Sequence, residues 1–334
     1  MTTIKDIAKT AGVSVTTVSR ALNGYSDVNE ATRKKIMETA RQLNYAPNTI
    51  ARSLVMKKSK TIGLLVSGFI RESVKDNFML DVLSGANDYI SNTDYDVILF
   101  NTNSSKQREK TYQQLCRERQ VDGVIIQGIK TDDPYLEEIV NGDTPCVLVD
   151  IPKMGTKTGY VMTDNVAGAY DAGKHFIDLG HEKIAMINGH NQAFVSKERL
   201  EGFEKALSES GLSLVEVMNG DFTEESGRQC LHDLIQQHPE ITAVFCASDL
   251  MAIGALTALK ELGKTSPDDL SIVGYDDILL ARYVTPALTT VSQDIHGLGY
   301  EAAKMLVGLL NDEKPDKTII KHELIIRDSS QRFQ

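Results

Sequence analysis

GVSVTTVSRALN, residues 12–23, holds a turn and a short helix. Gly12-Val13-Ser14 reads as a tight turn ending in a helix cap. Glycine tolerates the left-handed backbone that stops one helix, and the serine hydroxyl accepts from a free N–H at the start of the next. At about 100° per residue, Val18, Ala21 and Leu22 share one face of that helix, and Thr16, Ser19 and Arg20 share another. A polar face that is short, hydrogen-bonding and positively charged suits the second helix of a helix-turn-helix, which enters the major groove with its N-terminal residues at base edges. Val15 projects from the helix N-terminus, where it meets a thymine methyl; Arg20 pairs bidentately with a guanine, Thr16 contacts either base type, and Ser19 holds a phosphate. The spacing alone fits an amphipathic surface helix equally well.

The flanks extend the pattern. TIKDIAKTAG predicts a helix capped by Thr3, with Asp6 three residues on, Ile4, Ile7, Ala8 and Ala11 on one face, and Gly12 as its stop. NEATRKKIMETARQLNY predicts another from Asn29, burying Ile36, Ala40 and Leu43 and ended by Pro47. TIARSLVMKK, capped by Asn48, has too little apolar surface to stand alone and is expected to order only when something binds it. Residues 1–60 carry eleven Lys or Arg and four acids, a net +7, although the 334-residue chain is at −10 overall. A basic head is thus joined to a body at −17, which keeps the body off phosphate backbones.

From Thr61 short apolar strands alternate with helical stretches: TIGLLVS, YDVILFNT, VDGVIIQG and PCVLVD, then KIAMING, VEVMNGD, AVFCASD and SIVGYDD. This alternation predicts parallel sheets covered by helices, in two lobes of about 61–160 and 161–288. LTTVSQDI and TIIKHELIIRDS read as late strands added to a lobe already built. The chain then crosses between lobes more than once, which makes a hinged clamshell. The expected division is a head at 1–46, a linker at 47–60 and a body at 61–334, with a first lobe of about 61–160 plus 289–317 and a second of about 161–288 plus 318–334.

The segments TIKDIAKTAGVSVTTVSRALNG, VNEATRKKI, LNYAPN and ARSL, followed by TIGLLV, TDN, LGHEKIAMI, RLEGF, ASDLMAIGAL, VGYDD, TPALTTVSQD and LIIRDS, closely resemble the lactose/galactose repressor (LacI/GalR) family over nearly the whole chain. The resemblance implies a small all-α helix-turn-helix head and an α/β body, a two-lobed periplasmic-binding-protein-like (type I) clamshell of parallel sheets. It implies a homodimeric transcription regulator, by default a repressor, on a pseudo-palindromic double-stranded operator, switched by a small-molecule effector between the lobes. The linker matches a hinge helix that folds on specific DNA, with Leu54 at the position of the leucine that wedges into the minor groove. Arg52, Lys57 and Lys58 would contact phosphate or the minor groove, and Thr17 and Asn23 complete the DNA-facing set. The chain ends after LIIRDSSQRF, without the leucine-rich tail of the family's tetrameric members, hence the expected dimer.

Ligands of open α/β folds sit outside the carboxyl ends of the strands. Asp164 follows YVMT, Ser248-Asp249 end the AVFCA run, Asp276-Asp277 end SIVGY, Arg199 opens RLEGFEKAL, and Phe222 follows Gly220-Asp221. Carboxylates, one arginine fork and an aromatic wall suit a polyhydroxylated or heterocyclic ligand. By resemblance, Arg199 and Asp276 match the family's most regular effector contacts, and Asp164, Ser248, Phe222 and Phe78 match further pocket positions. Aspartate at a strand–helix junction is also a common helix cap, which suits Asp249 and Asp277 as well. A sugar or sugar derivative is the expected effector; a purine-type corepressor is the alternative, as is a solute-binding sensor that does not read DNA.

No phosphate loop, GxSxG or HExxH motif points to catalysis. His175, His181 and His190 match no metal spacing, and the four cysteines are too far apart for a zinc site, so neither metal nor cofactor is expected. Free thiols and the lack of a signal-peptide pattern or long apolar run suit a cytoplasmic protein without membrane contact.

Overall fold

The structure, a computed structural model, describes residues 2–45, 58–67, 78–102 and 110–333. It divides into two compact units, residues 1–60 and 61–334. In the first, helices α1 (Ile4–Ala11), α2 (Val15–Leu22) and α3 (Glu30–Gln42) enclose a core of Ile7, Ala8, Ala11, Val18, Ala21, Val28, Ile36 and Ala40. Local chemistry sets their ends. Asp6 Oδ2 accepts from the Thr3 backbone N–H and hydroxyl, each at 2.8 Å, which holds its carboxyl below the usual range. Gly12 ends α1 at φ +69°, a backbone that a β-carbon would strain. Asn29 caps α3 by accepting from Thr32 N at 2.8 Å. Arg33 of α3 reaches back to the carbonyls of Ala21 (3.1 Å) and Tyr25, fixing the end of α2.

The second unit carries two six-stranded sheets. Its first lobe begins β1 (Thr61–Ser67), α4 (Phe78–Ile90), β2 (Asp96–Thr102), α5 (Tyr112–Arg119), β3 (Gly123–Gln127), α6 (Leu136–Val140), β4 (Cys146–Val149) and β5 (Thr158–Thr163). The second continues α7 (Asn165–Asp178), β6 (Ile184–Asn188), α8 (Phe194–Glu209), β7 (Val217–Asn219), α9 (Glu224–Gln237), β8 (Ala243–Cys246), α10 (Asp249–Glu261), β9 (Ser271–Asp276) and β10 (Thr289–Gln293). Helix α11 (Ile295–Leu310) and β11 (Lys317–Ile320) return to the first lobe, and β12 (His322–Ile325) ends in the second. The sheet orders are β11-β5-β4-β3-β1-β2 and β12-β10-β9-β8-β6-β7. Every pairing is parallel except β10 with β12, which is antiparallel.

The lobe boundaries differ from those expected. Residues 289–293 pair with β9 in the second sheet, where Thr290 Oγ1 donates to the buried Asp249 Oδ1 at 2.6 Å. The first-lobe return therefore begins after Gln293. TIIKHELI does not form one strand: Lys317–Ile320 pairs with β5 and His322–Ile325 with β10. Strand β5 also stays in the first sheet to Thr163. The chain thus crosses between lobes at Asp164, Asp294 and Lys321. Helix α11 seals the first lobe: Ile295, Leu298, Ala302, Ala303 and Leu306 join Ile62, Leu64, Val82 and Val147 in one core. Gly85 of α4 and Gly299 of α11 let the two backbones meet, because a β-carbon on either would strike the other helix's carbonyl.

All four cysteines are free and buried, and burial pushes the Cys146 and Cys246 thiols well above their ordinary range. No described helix is long and apolar enough to cross a membrane, and no described group of three or more His, Cys, Asp or Glu is arranged to hold a metal ion.

Candidate functional site

Two features of the described residues are built for recognition, one in each unit. In the head, Ser14 Oγ accepts from Thr17 N at 3.0 Å and lies 2.8 Å from Thr17 Oγ1, which fixes the start of α2. Val15 and Thr16 are left exposed at that start, and Arg20 is exposed one turn on. Among the other residues expected to face DNA, Thr17 spends its hydroxyl on the cap, and Ser19 Oγ accepts from Asn23 Nδ2 at 3.4 Å. Arg20 forms a two-point pair with Asp27 (2.6 and 3.1 Å), with its guanidinium carbon 4.9 Å from the centre of the Tyr25 ring. Asp27 escaped the sequence reading because it lies in a loop that helical periodicity does not relate to Arg20. Both side chains are about half exposed, and an exposed pair of this kind is worth only about 0–1 kcal/mol, so Asp27 holds the guanidinium weakly. Arg52, Leu54 and Lys57 lie outside the described residues.

In the body, a cavity of about 250 Å³ lies at the carboxyl ends of the strands. The first lobe supplies Val66, Phe78, Gln127, Val149 and Asp150; the second supplies His190, Phe194, Arg199, Phe222, Ser248 and Asp276. Five of the six expected effector residues therefore line it: Phe78, Arg199, Phe222, Ser248 and Asp276. Asp164 does not. It is exposed and caps α7, its Oδ1 accepting from Ala167 N at 2.9 Å. Asp249 and Asp277 are structural too: Asp249 accepts from Ile278 N at 2.9 Å and from Thr290, and Asp277 is ion-paired with Arg327 and Arg282.

Arg199 is only 3% exposed and is held on every side. Its Nε donates to Asn165 Oδ1 at 2.9 Å, Nη1 donates to the Ala247 carbonyl, and Nη2 lies 3.7 Å from Asp276 Oδ1. The Tyr275 ring lies under the guanidinium at 3.7 Å. Gln293 Nε2 donates to Asp276 Oδ1 at 2.6 Å. Gln127, Asp150 and His190 line the cavity, and one polar atom of each (Oε1, Oδ1 and Nδ1) is buried without a hydrogen-bond partner among the described residues. Buried polar atoms normally find partners, so these three side chains hold unused hydrogen-bonding capacity beside the cavity. Gln127, Asp150 and Phe194 were not singled out from sequence, and His190 was weighed there only as a metal ligand; an aspartate after an apolar strand was the one available signal for Asp150, and it pointed equally to Asp164.

Asp150 of the first lobe and Glu198 of the second also repel one another. Burial pushes the Asp150 carboxyl up to about 6, against the pull of Arg199. Burial and then Asp150 push Glu198 up to about 7, although the Asn165 amide opposes this from 3.3 Å. Between pH 5 and 7 the folded protein thus holds protons at these two sites that the unfolded chain has released, so they contribute stability that is lost as pH rises. The difference in urea midpoint between pH 5.5 and 7.5 is expected to be larger for the wild type than for Glu198→Gln. An identical difference in both proteins would place Glu198 in ordinary solvent.

Residues 3–48 match the model of bacterial regulatory proteins of the lacI family, and residues 174–330 match that of a periplasmic binding protein-like domain. The HTH-type transcriptional repressor PurR of Photobacterium profundum is 36% identical over 98% of both chains. PurR of Vibrio vulnificus is 34% identical over the full length of both. Among solved structures, the lac repressor dimer bound to operator and the anti-inducer ONPF is similar at a TM-score of 0.85 and 26% identity, over 99% of each chain. The CelR-cellobiose complex is similar at 0.76 and 29% identity, covering 98% of this chain and 100% of that one.

Proposed function

The chain belongs to the lacI family of bacterial regulatory proteins, and from that premise we propose that it is a homodimeric, cytoplasmic transcriptional repressor released from or fixed on its operator by a sugar-type effector. One observation carries the reading: a cavity between the strand ends, walled by Phe78, Arg199, Phe222, Ser248 and Asp276, shares a chain with a basic head whose α2 exposes Val15, Thr16 and Arg20. In the dimer, two heads read two half-sites of a pseudo-palindrome. The body acts by binding, and its ligand leaves unchanged. Phe78, Phe194 and Phe222 give the cavity flat apolar walls that suit a sugar ring; polar atoms from both lobes suit its hydroxyls. Near-full-length similarity to repressors named PurR favours a purine base as the second reading.

Fluorescence anisotropy of a labelled palindromic operator tests this, first across a salt series and then with a panel of cellobiose, ribose, hypoxanthine and guanine. Tight binding that weakens steeply with salt and shifts with one compound supports the reading. A compound that binds while no operator does would leave a sensor without DNA readout. Leu54→Ala is expected to weaken operator binding far more than binding to random duplex, because an inserted side chain acts only at the site it unstacks. Equal losses on both DNAs would remove the wedge.

A further inference from the structure

The three chain crossings of the body differ in what they touch. At the first, Asn165 is 1% exposed and joins both lobes. Its Nδ2 donates to the Thr163 carbonyl at the end of β5 (3.1 Å) and to Glu198 Oε2 on α8 (3.3 Å), while its Oδ1 accepts from Arg199 Nε (2.9 Å). At the second, Gln293 is 6% exposed and is the last residue of β10 before α11 returns to the first lobe. Its Nε2 donates to Asp276 Oδ1 at 2.6 Å. Arg199 and Asp276, 3.7 Å apart, complete the chain of contacts. An unbroken polar path thus runs from Thr163 through Asn165, Arg199 and Asp276 to Gln293, and Arg199 and Asp276 within it line the cavity. The third crossing is outside this path: His322 there pairs with Asp171 at 2.8 Å.

We propose that Asn165 and Gln293 are positioning residues that tie the state of Arg199 and Asp276 to the angle between the two lobes. The proposal rests on the reading of the cavity as an effector site. A ligand that draws Arg199 or Asp276 towards itself must lengthen or re-aim the bonds to the two amides, and each amide sits where the chain passes between lobes. Engagement in the cavity then becomes a change in lobe angle without a separate relay. A two-state element biased by ligand contacts is what allosteric coupling requires.

The test compares wild type, Asn165→Ala and Gln293→Met, the last of which keeps length and volume but removes the donor. Tyr170→Phe is the control; it deletes an exposed bond to Glu209 between the same two helices, away from any crossing. Spin labels on cysteines introduced at the exposed positions Asp143 and Lys264 report the lobe distance, with labelled chain diluted in a large excess of unlabelled chain. The native cysteines are buried. The ligand-free interlobe distance is expected to broaden or shift in Asn165→Ala and Gln293→Met and to stay put in Tyr170→Phe. In the second arm, with cellobiose as the probe, Gln293→Met should keep its cellobiose affinity within about threefold and lose about fivefold or more of the change in operator affinity that cellobiose causes. Asn165→Ala and Gln293→Met distributions matching wild type would overturn the proposal. So would loss of probe affinity and coupling in equal proportion, which marks a merely structural role. A wild type that binds no operator overturns the functional reading alone, because the lobe distance still decides this one.

Discussion

Arg199→Lys is expected to lose the effector response while keeping the fold. The guanidinium serves Asn165, the Ala247 carbonyl, Asp276 and the Tyr275 ring at once. A lysine ammonium is a single point charge and cannot present two directed N–H groups in a plane that also stacks on a ring. Each hydrogen bond involving a charged group is worth about 1.5–3 kcal/mol, so losing one net bond corresponds to roughly tenfold to hundredfold in affinity for a ligand that uses the same fork. Arg199→Ala is harsher. It leaves Asp276 without the guanidinium 3.7 Å away, and removing one partner of a buried pair costs about 3–5 kcal/mol. Calorimetric titration with the compound selected by the operator panel, alongside urea unfolding, checks both. An Arg199→Lys protein with wild-type affinity would reduce Arg199 to a brace for the loop at Ala247.

Chemistry that is local in the chain could be read from the sequence; chemistry assembled from distant segments could not. The caps at Thr3, Ser14 and Asn29 and the stop at Gly12 act within four residues of themselves, and each stands where the sequence put it. Strand β10 shows the limit. TTVSQ is short and rich in threonine, and nothing within it tells which sheet it joins; Asp249, 41 residues away, fixes it through Thr290. The aspartates show the same limit inside one residue type. Asp150 and Asp164 both follow an apolar strand of the same sheet, but Asp150 takes a left-handed backbone at φ +58° and turns into the cavity, whereas Asp164 caps a helix in solvent. Glu198 sat beside Arg199 in the sequence and went unremarked, because its meaning depends on Asn165 and on an aspartate from the other lobe.

Ile36→Ala is expected to abolish operator binding and spare the cavity. The described head has eight buried apolar residues, and four of them are alanines, so Ile7, Val18, Val28 and Ile36 provide most of the buried side-chain volume. Truncating a fully buried isoleucine costs about 2–5 kcal/mol. A single core in a domain this small rarely supplies more than about 3–5 kcal/mol in all, so the substitution removes most of the margin. Apparent operator affinity then falls in proportion to the folded fraction of heads, and a pseudo-palindrome needs two of them at once. The described cores of the body are built from body residues, so its unfolding and its ligand affinity should stay at wild-type values. Met37, the neighbour on α3, is 45% exposed and supplies the control: Met37→Ala should change operator affinity little. Anisotropy with the labelled operator and calorimetric unfolding separate the outcomes. If Ile36→Ala bound operator as tightly as Met37→Ala, α2 would owe its position to something other than this core, and Arg33, bonded to the carbonyls at the end of α2, would be the next residue to remove.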